Sequence, residues 1–187
     1  MIIIVSGTPG TGKTTLSKKL AKELKFKYVD VNKIIKRFNL IESYDKARKT
    51  NVIDIYKLNR VLIKFIKQGK NLVIDGHLSH NLPKQYVDLA VITKCNLKKL
   101  EKRLERKRWS KSKIRENMDS EIFNICFEEA KQQKHKILVV DTTKRVDIDK
   151  LSRNIQKRIG KRAFHSLARM GKKSEIKSLN KIKKKKK

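Results

Sequence analysis

Apolar and polar positions fall along the chain in two kinds of block. Five short blocks are apolar at most positions: Met1–Ser6, Phe26–Val31, Asn71–Asp75, Leu89–Thr93 and Ile137–Asp141. Each is too short for a helix and reads as a strand, and the runs without alternation predict burial on both faces. Between them apolar residues recur at spacings of three and four. Leu16, Leu20 and Leu24 mark one helix; Leu58, Leu62, Phe65 and Ile66 mark a second, stopped at Gly69; Leu97, Leu100 and Leu104 mark a third. After a basic break at Arg106–Lys113, the positions Ile114, Met118, Ile122 and Ile125 predict one face of a long helix. The stretch Asn32–Leu58 is polar and predicts irregular chain with short helical patches. Strands alternating with helices predict an α/β fold with a parallel sheet covered on both sides. No internal repeat is present.

The character changes from Asp147. Ile148, Leu151, Ile155 and Ile159 continue an apolar stripe, with Lys150, Arg153, Lys157 and Lys161 on the opposite face. The pattern extends to Met170 with Gly171 as a stop. The chain then turns polar and ends in Lys183–Lys187, a like-charge block expected to be disordered.

Charge alters this picture more than length does. A chain of 187 residues is long enough for one domain with a real core. It carries 50 Lys and Arg against 18 Asp and Glu, a formal charge of +32. Such a field favours polyanions such as RNA, with binding that weakens as salt rises. Codon bias in an AT-rich genome produces the same excess, together with the abundant Ile and Asn, so both readings stand. Cys95 and Cys126 match no metal spacing and no redox motif, and read as buried or half-buried thiols. No apolar run reaches the roughly 18 residues of a membrane span. The expectation is a soluble intracellular protein, cytoplasmic or, in a eukaryote, nuclear.

The chemistry begins where the first strand ends. Gly7-Thr8-Pro9-Gly10-Thr11-Gly12-Lys13-Thr14 satisfies G-x-x-x-x-G-K-[ST], between a strand and a helix. Glycines let backbone N–H groups come close to phosphate oxygens, and the helix N-terminus adds its dipole. Gly10, Gly12, Lys13, Thr14 and Thr15 are therefore the candidate ATP contacts, with Lys13 on the β/γ-phosphates and the Thr14 hydroxyl on Mg²⁺. Leu72-Val73-Ile74-Asp75 is an apolar strand ending in a carboxylate, which makes Asp75 the second Mg²⁺ anchor. Asn-Lys-x-Asp, the usual guanine reader, is missing: Thr93-Lys94-Cys95-Asn96 has no aspartate and Asn32-Lys33 has none two residues on. ATP is thus the expected nucleotide.

These pieces together resemble the adenylate kinase isoenzyme 6 family of archaea and eukaryotes. The resemblance rests on GTPGTGKTTLSKKLAKEL, the YVDV strand, Tyr44-Asp45, Val52–Asp54, DGHLSHNLP at Asp75–Pro83 and KIRENMDSEIFNICFEEA at Lys113–Ala130, and covers residues 1–145. It implies a P-loop fold of the nucleoside monophosphate kinase type with five parallel strands. It also implies adenylate kinase and ATPase activity, and a role in small ribosomal subunit maturation through a platform ribosomal protein. The chain departs from the family where acidic residues usually stand near Lys46–Thr50, and where the lid arginine is replaced by Lys107 followed by Arg108 and Trp109.

The chain is expected to divide into a kinase domain at residues 1–160 and a basic, partly disordered extension at 161–187, a candidate contact for rRNA or pre-ribosomes. Residues 31–54 correspond to the monophosphate-binding segment, where Lys36 and Arg37 are candidates for the acceptor phosphate or form a solvated basic face. Residues 106–116 correspond to a short lid, with Lys107 and, on the preceding helix, Arg103 as candidate phosphate contacts. Trp109 is open to two roles, stacking on adenine or anchoring the lid. His77, two residues after Asp75, is expected to position a water for hydrolysis or to orient Asp75; His80, His135 and His165 read as structural. The expected reaction is ATP + AMP giving two ADP with Mg²⁺, with slow ATP hydrolysis. The rival is an assembly factor switched by ATP.

Overall fold

The computed structural model describes residues 1–48 and 50–160, and of these 160 is the last. Its centre is a five-stranded parallel sheet. The strands are β1 (Ile2–Ser6), β2 (Lys27–Asp30), β5 (Leu72–Asp75), β6 (Leu89–Lys94) and β7 (Ile137–Asp141), in the order β2-β5-β1-β6-β7. β1 pairs with β5 from Ile2–Leu72 to Val5–Asp75, and with β6 from Ile3–Leu89 to Ser6–Ile92. Ile3, Ile4 and Val5 are fully buried, as expected of a strand covered on both faces.

Helices α1 (Lys13–Leu24), α3 (Ile55–Lys67) and α4 (Leu97–Glu105) follow the predicted periodicity. α1 buries Leu16, Leu20 and Leu24; α3 buries Leu58 and Leu62; α4 buries Leu100 and Leu104. Asp54 caps α3 by accepting the Lys57 N–H at 2.9 Å. One apolar cluster joins Ile4, Ile74, Val31, Ile34, Leu58 and Leu62, so the sheet, α3 and the segment after β2 share a core.

Two expectations are corrected. The stretch Asn32–Leu58 is not irregular: α2 (Val31–Arg37) is capped by Asp30, and an antiparallel hairpin follows, β3 (Ile41–Asp45) with β4 (Thr50–Ile53). Both hairpin strands are largely exposed, so no alternation of burial marks them in the sequence. The predicted long helix is two helices, α5 (Lys111–Ile122) and α6 (Ile125–Gln132). Asn124 between them is left-handed at φ 56°, which an asparagine tolerates. The break turns Ile122 and Ile125 outward, to 50% and 41% exposure, while α5 buries Asn117 and Glu121 instead. Glu121 accepts the Cys95 N–H at 2.9 Å, so a carboxylate fills the place expected of an isoleucine.

Met1–Asp149 forms one compact unit, and a second unit begins at Lys150. Residues 148–160 are helical, with Leu151, Ile155 and Ile159 buried. The continuation to Met170, the basic extension at 161–187 and His165 lie outside the described residues. Among the described residues no helix is long and apolar enough to cross a membrane.

Candidate nucleotide-binding and phosphoryl-transfer site

The site gathers at the C-terminal ends of β1 and β5. β1 ends at Ser6 and the loop 7–12 carries the chain into α1. Gly7 has φ 140°, and a Cβ there would lie 2.5 Å from the Thr93 carbonyl oxygen; only glycine lets the loop lie against β6. Gly12, at φ 88°, is the N-cap of α1 and offers no side chain to its first turn. The first N–H groups of the helix are thus left for an anion. Thr14 and Thr15, in that turn, are exposed.

The loop is braced from behind. Thr11 donates to the Thr8 carbonyl at 2.7 Å and meets the Thr93 hydroxyl at 2.7 Å. The Thr142 hydroxyl, just past β7, bonds the carbonyls of Thr11 and Lys94. Arg103 reaches the same region from α4: its guanidinium donates to the Thr142 carbonyl at 2.9 Å, to Gly10 O at 3.4 Å and to Cys95 Sγ at 3.3 Å. It flanks the loop and ties α4 to it.

Lys13 Nζ donates to the carbonyls of Gly7 at 2.8 Å and Thr8 at 3.0 Å. Burial lowers its pKa to about 8, with Cys126 and Asp75 acting against the shift and Lys107 adding to it. Lys13, Asp75 and Lys107 therefore share one electrostatic field. Asp75 is 3% exposed, and its Oδ2 accepts the Tyr28 hydroxyl at 2.8 Å. Its Oδ1 is buried with no hydrogen-bond partner. Burial, then the bond to Asp75, raises the Tyr28 pKa, and the Thr14 hydroxyl offsets part of that rise. Tyr28 thus stands between the two residues expected to hold Mg²⁺. A buried carboxylate oxygen without a partner is costly and suits a hard cation that takes oxygen ligands.

His77 follows Asp75 by two residues and is half-buried. Burial and the Lys13 charge hold its imidazole at a pKa of about 4, so it is neutral. Its carbonyl accepts the Ser6 hydroxyl at 3.0 Å, which pins the turn that carries it.

The segment expected to act as a lid crosses from α4 to α5 (Lys111–Ile122). Lys107 and Lys113 place their ammonium groups 4.9 and 5.1 Å from the centre of the Trp109 ring. Trp109 packs with Ile114 and Met118 against Cys95, Leu100 and Leu104. Lys36 and Arg37 occupy the last turn of α2 and are exposed; Arg37 lies 5.7 Å from the Phe38 ring centre. They are not gathered with the phosphate-loop residues. A cavity of about 420 Å³ instead opens between the hairpin turn, at Ala47 and Arg48, and the lid side, at Ser110, Ser112, Lys113 and Glu116. Arg48 and Glu116 approach to 4.0 Å across it.

A family model described as an AAA domain matches residues 3–124. A relative from Methanocaldococcus jannaschii is 34% identical over 145 residues, 78% of each chain. The adenylate kinase isoenzyme 6 homolog FAP7 of Saccharomyces cerevisiae is 34% identical, covering 74% of this chain and 71% of its own. The chain belongs to the adenylate kinase isoenzyme 6 family. Solved structures agree on the fold. A shikimate kinase from Acinetobacter baumannii superposes with a TM-score of 0.56 at 16% identity, over 86% of this chain and 94% of that one. Deoxyadenosine kinase from M. mycoides gives a TM-score of 0.50 at 18% identity, over 83% and 99%. The fold is of the P-loop NTPase type, and isoenzyme 6 membership makes the chain a kinase-type nucleotide-binding protein.

Within this isoenzyme 6 fold, sequence reasoning missed Tyr28, Thr93, Thr142, Glu121 and the setting of His80. The first three act through partners between 47 and 131 residues away. Tyr28, His80 and Glu121 lie inside quoted motifs, but the motifs do not say what each side chain touches. His80 is buried and hydrogen-bonded on both ring nitrogens, to Ser6 and to Glu129.

Proposed function

We propose that the protein transfers the γ-phosphoryl group of ATP to AMP in a Mg²⁺-dependent reaction and hydrolyses ATP slowly in the absence of an acceptor. The observation that carries this reading is the pairing of an uncapped helix N-terminus at Gly12 with the buried, unpartnered Oδ1 of Asp75. The first suits a triphosphate, the second its metal.

The residues divide the work as follows. The loop from Gly7 to Gly12 and the first turn of α1, with Thr14 and Thr15, hold the phosphates. Lys13 leaves the carbonyls of Gly7 and Thr8 for the β/γ-phosphates, where its charge meets the charge that builds up in transfer. Thr14 and Asp75 would hold Mg²⁺, which would offset phosphate charge when bound. Lys107 adds a second cation from the lid. The hairpin and lid flank the cavity near Arg48, Lys113 and Glu116, large enough for part of a second nucleotide. Lys36 and Arg37 would meet an acceptor only after the segment closes on it. AMP arrives as an ionised phosphate, so transfer needs no general base. Hydrolysis needs an oriented water, and His77 beside Lys13 supplies a ring nitrogen for it.

ADP formation from ATP and Mg²⁺, measured with and without AMP, tests the reading. Strong stimulation by AMP and loss with a chelator are expected. ADP formation indifferent to AMP overturns the kinase part.

A second reading is favoured by the charge of +32. In it the chain acts in small ribosomal subunit maturation, on rRNA and a platform ribosomal protein, and ATP switches its grip. Hydrolysis stimulated by pre-ribosomal particles more than by AMP would favour this role.

A further inference from the structure

Behind the phosphate loop lies a side-chain group that phosphoryl transfer does not use. His80, in the turn after β5, meets Cys126 and Glu129, three residues apart on α6. An imidazole nitrogen, a thiol sulfur and a carboxylate oxygen lie within 4.8 Å of one another. His80 and Cys126 are buried, while Glu129 opens to solvent and gives a path of entry.

The hydrogen bonds decide which atoms are available. The Ser6 hydroxyl lies 3.0 Å from the His77 carbonyl and 2.7 Å from His80 Nδ1. Its single proton goes to the carbonyl, which only accepts. Nδ1 therefore carries the hydrogen in the other contact. His80 Nε2 is left with its lone pair, 2.8 Å from Glu129 Oε2. Two acceptors this close need a positive centre between them.

We propose that His80 Nε2, Cys126 Sγ and a Glu129 carboxylate oxygen form a zinc site, completed by water. One nitrogen, one sulfur and one oxygen suit tetrahedral Zn²⁺ and exclude Mg²⁺. The thiolate and the carboxylate balance the ion's charge, so it does not repel nearby Lys13. Ser6 fixes the ring tautomer from the second shell. Tetrahedral bonds require nitrogen and oxygen to spread from 2.8 Å to about 3.3 Å, a small swing of the Glu129 side chain. Binding releases the proton of the Cys126 thiol. The Gly7 amide faces Cys126, so the ion ties α6 to the phosphate loop.

The test uses the full untagged chain, stripped by a chelator and titrated with Zn²⁺ against a chromogenic competitor. One Zn²⁺ per chain is expected, with the thiol proton released in weak buffer. Cys126→Ser and Glu129→Gln should each weaken binding at least tenfold, and Cys95→Ser should leave it unchanged. Glu129 is exposed, so its variant tests the site without burdening the fold. With Co²⁺, the thiolate-to-metal absorption band should appear in the wild type and vanish in Cys126→Ser. No stoichiometric Zn²⁺, or a band that survives Cys126→Ser or is lost in Cys95→Ser, overturns the site.

Discussion

Tyr28 donates its hydroxyl to Oδ2 of Asp75 at 2.8 Å, and Asp75 Oδ1 is left buried without a partner. β2 lies beside β5 with Asp30 opposite Asp75, so a residue near the end of one strand orients the carboxylate at the end of the next. Tyr28→Phe removes the donor and keeps the ring. The Mg²⁺ concentration for half-maximal turnover should rise about tenfold, with kcat at saturating Mg²⁺ retained. An unchanged Mg²⁺ dependence would show that Tyr28 does not orient the metal ligand.

Lys13→Ala should abolish AMP-dependent transfer and hydrolysis together. Among the described residues the ammonium hydrogen-bonds to the loop carbonyls of Gly7 and Thr8, so the fold should survive with a loss of about 1 kcal/mol. Turnover assays beside thermal melting check both halves. Near-normal turnover in a folded variant would move the site elsewhere.

His77→Ala should depress hydrolysis more than transfer to AMP, because AMP brings its own nucleophile and water must be positioned. The ratio of the two rates, measured on the same preparation, is the readout. Equal losses would assign His77 to the support of Asp75, through the turn that Ser6 pins.

Acid should loosen the fold through His80. Burial lowers its pKa from 6.5 to about 4. The unfolded chain therefore takes up the proton first. Stability is full above pH 6.5 and is lost as pH falls toward 4, by about 2 kcal/mol at pH 5. The Glu129 carboxyl, raised by burial, titrates in the opposite sense. Chemical denaturation at pH 7 and pH 5, with a chelator present, should show a smaller pH effect in His80→Asn. An equal effect in both proteins would remove His80 as its source.

The region from Arg145 to Lys187 holds 17 basic and 3 acidic side chains. Deleting residues 171–187 should leave AMP-dependent turnover within a few-fold. It should flatten the dependence of log RNA affinity on log salt by roughly 0.7–0.9 per lost phosphate contact. An unchanged slope on rRNA fragments would mean that this segment makes no phosphate contacts.

The five sheet strands, the helices built on Leu16, Leu58 and Leu100, and the phosphate loop were all legible in the sequence. Their signals are local: apolar runs buried on both faces, leucines at helical spacing, and glycines where a loop meets a strand. The hairpin Ile41–Ile53 was not legible, because its strands are mostly exposed and bury no alternating face. The break at Asn124 was hidden because a single left-handed residue ends one helix and starts the next, and the apolar period runs across it. Tertiary structure alone chose Glu121 over Ile122 for the interior, since only there does a carboxylate find the Cys95 amide. It alone joined Tyr28 to Asp75, and Ser6 to His80 and Glu129. Those bonds link side chains 47 and 74 residues apart or from different elements, and no local pattern encodes which ends of parallel strands become neighbours.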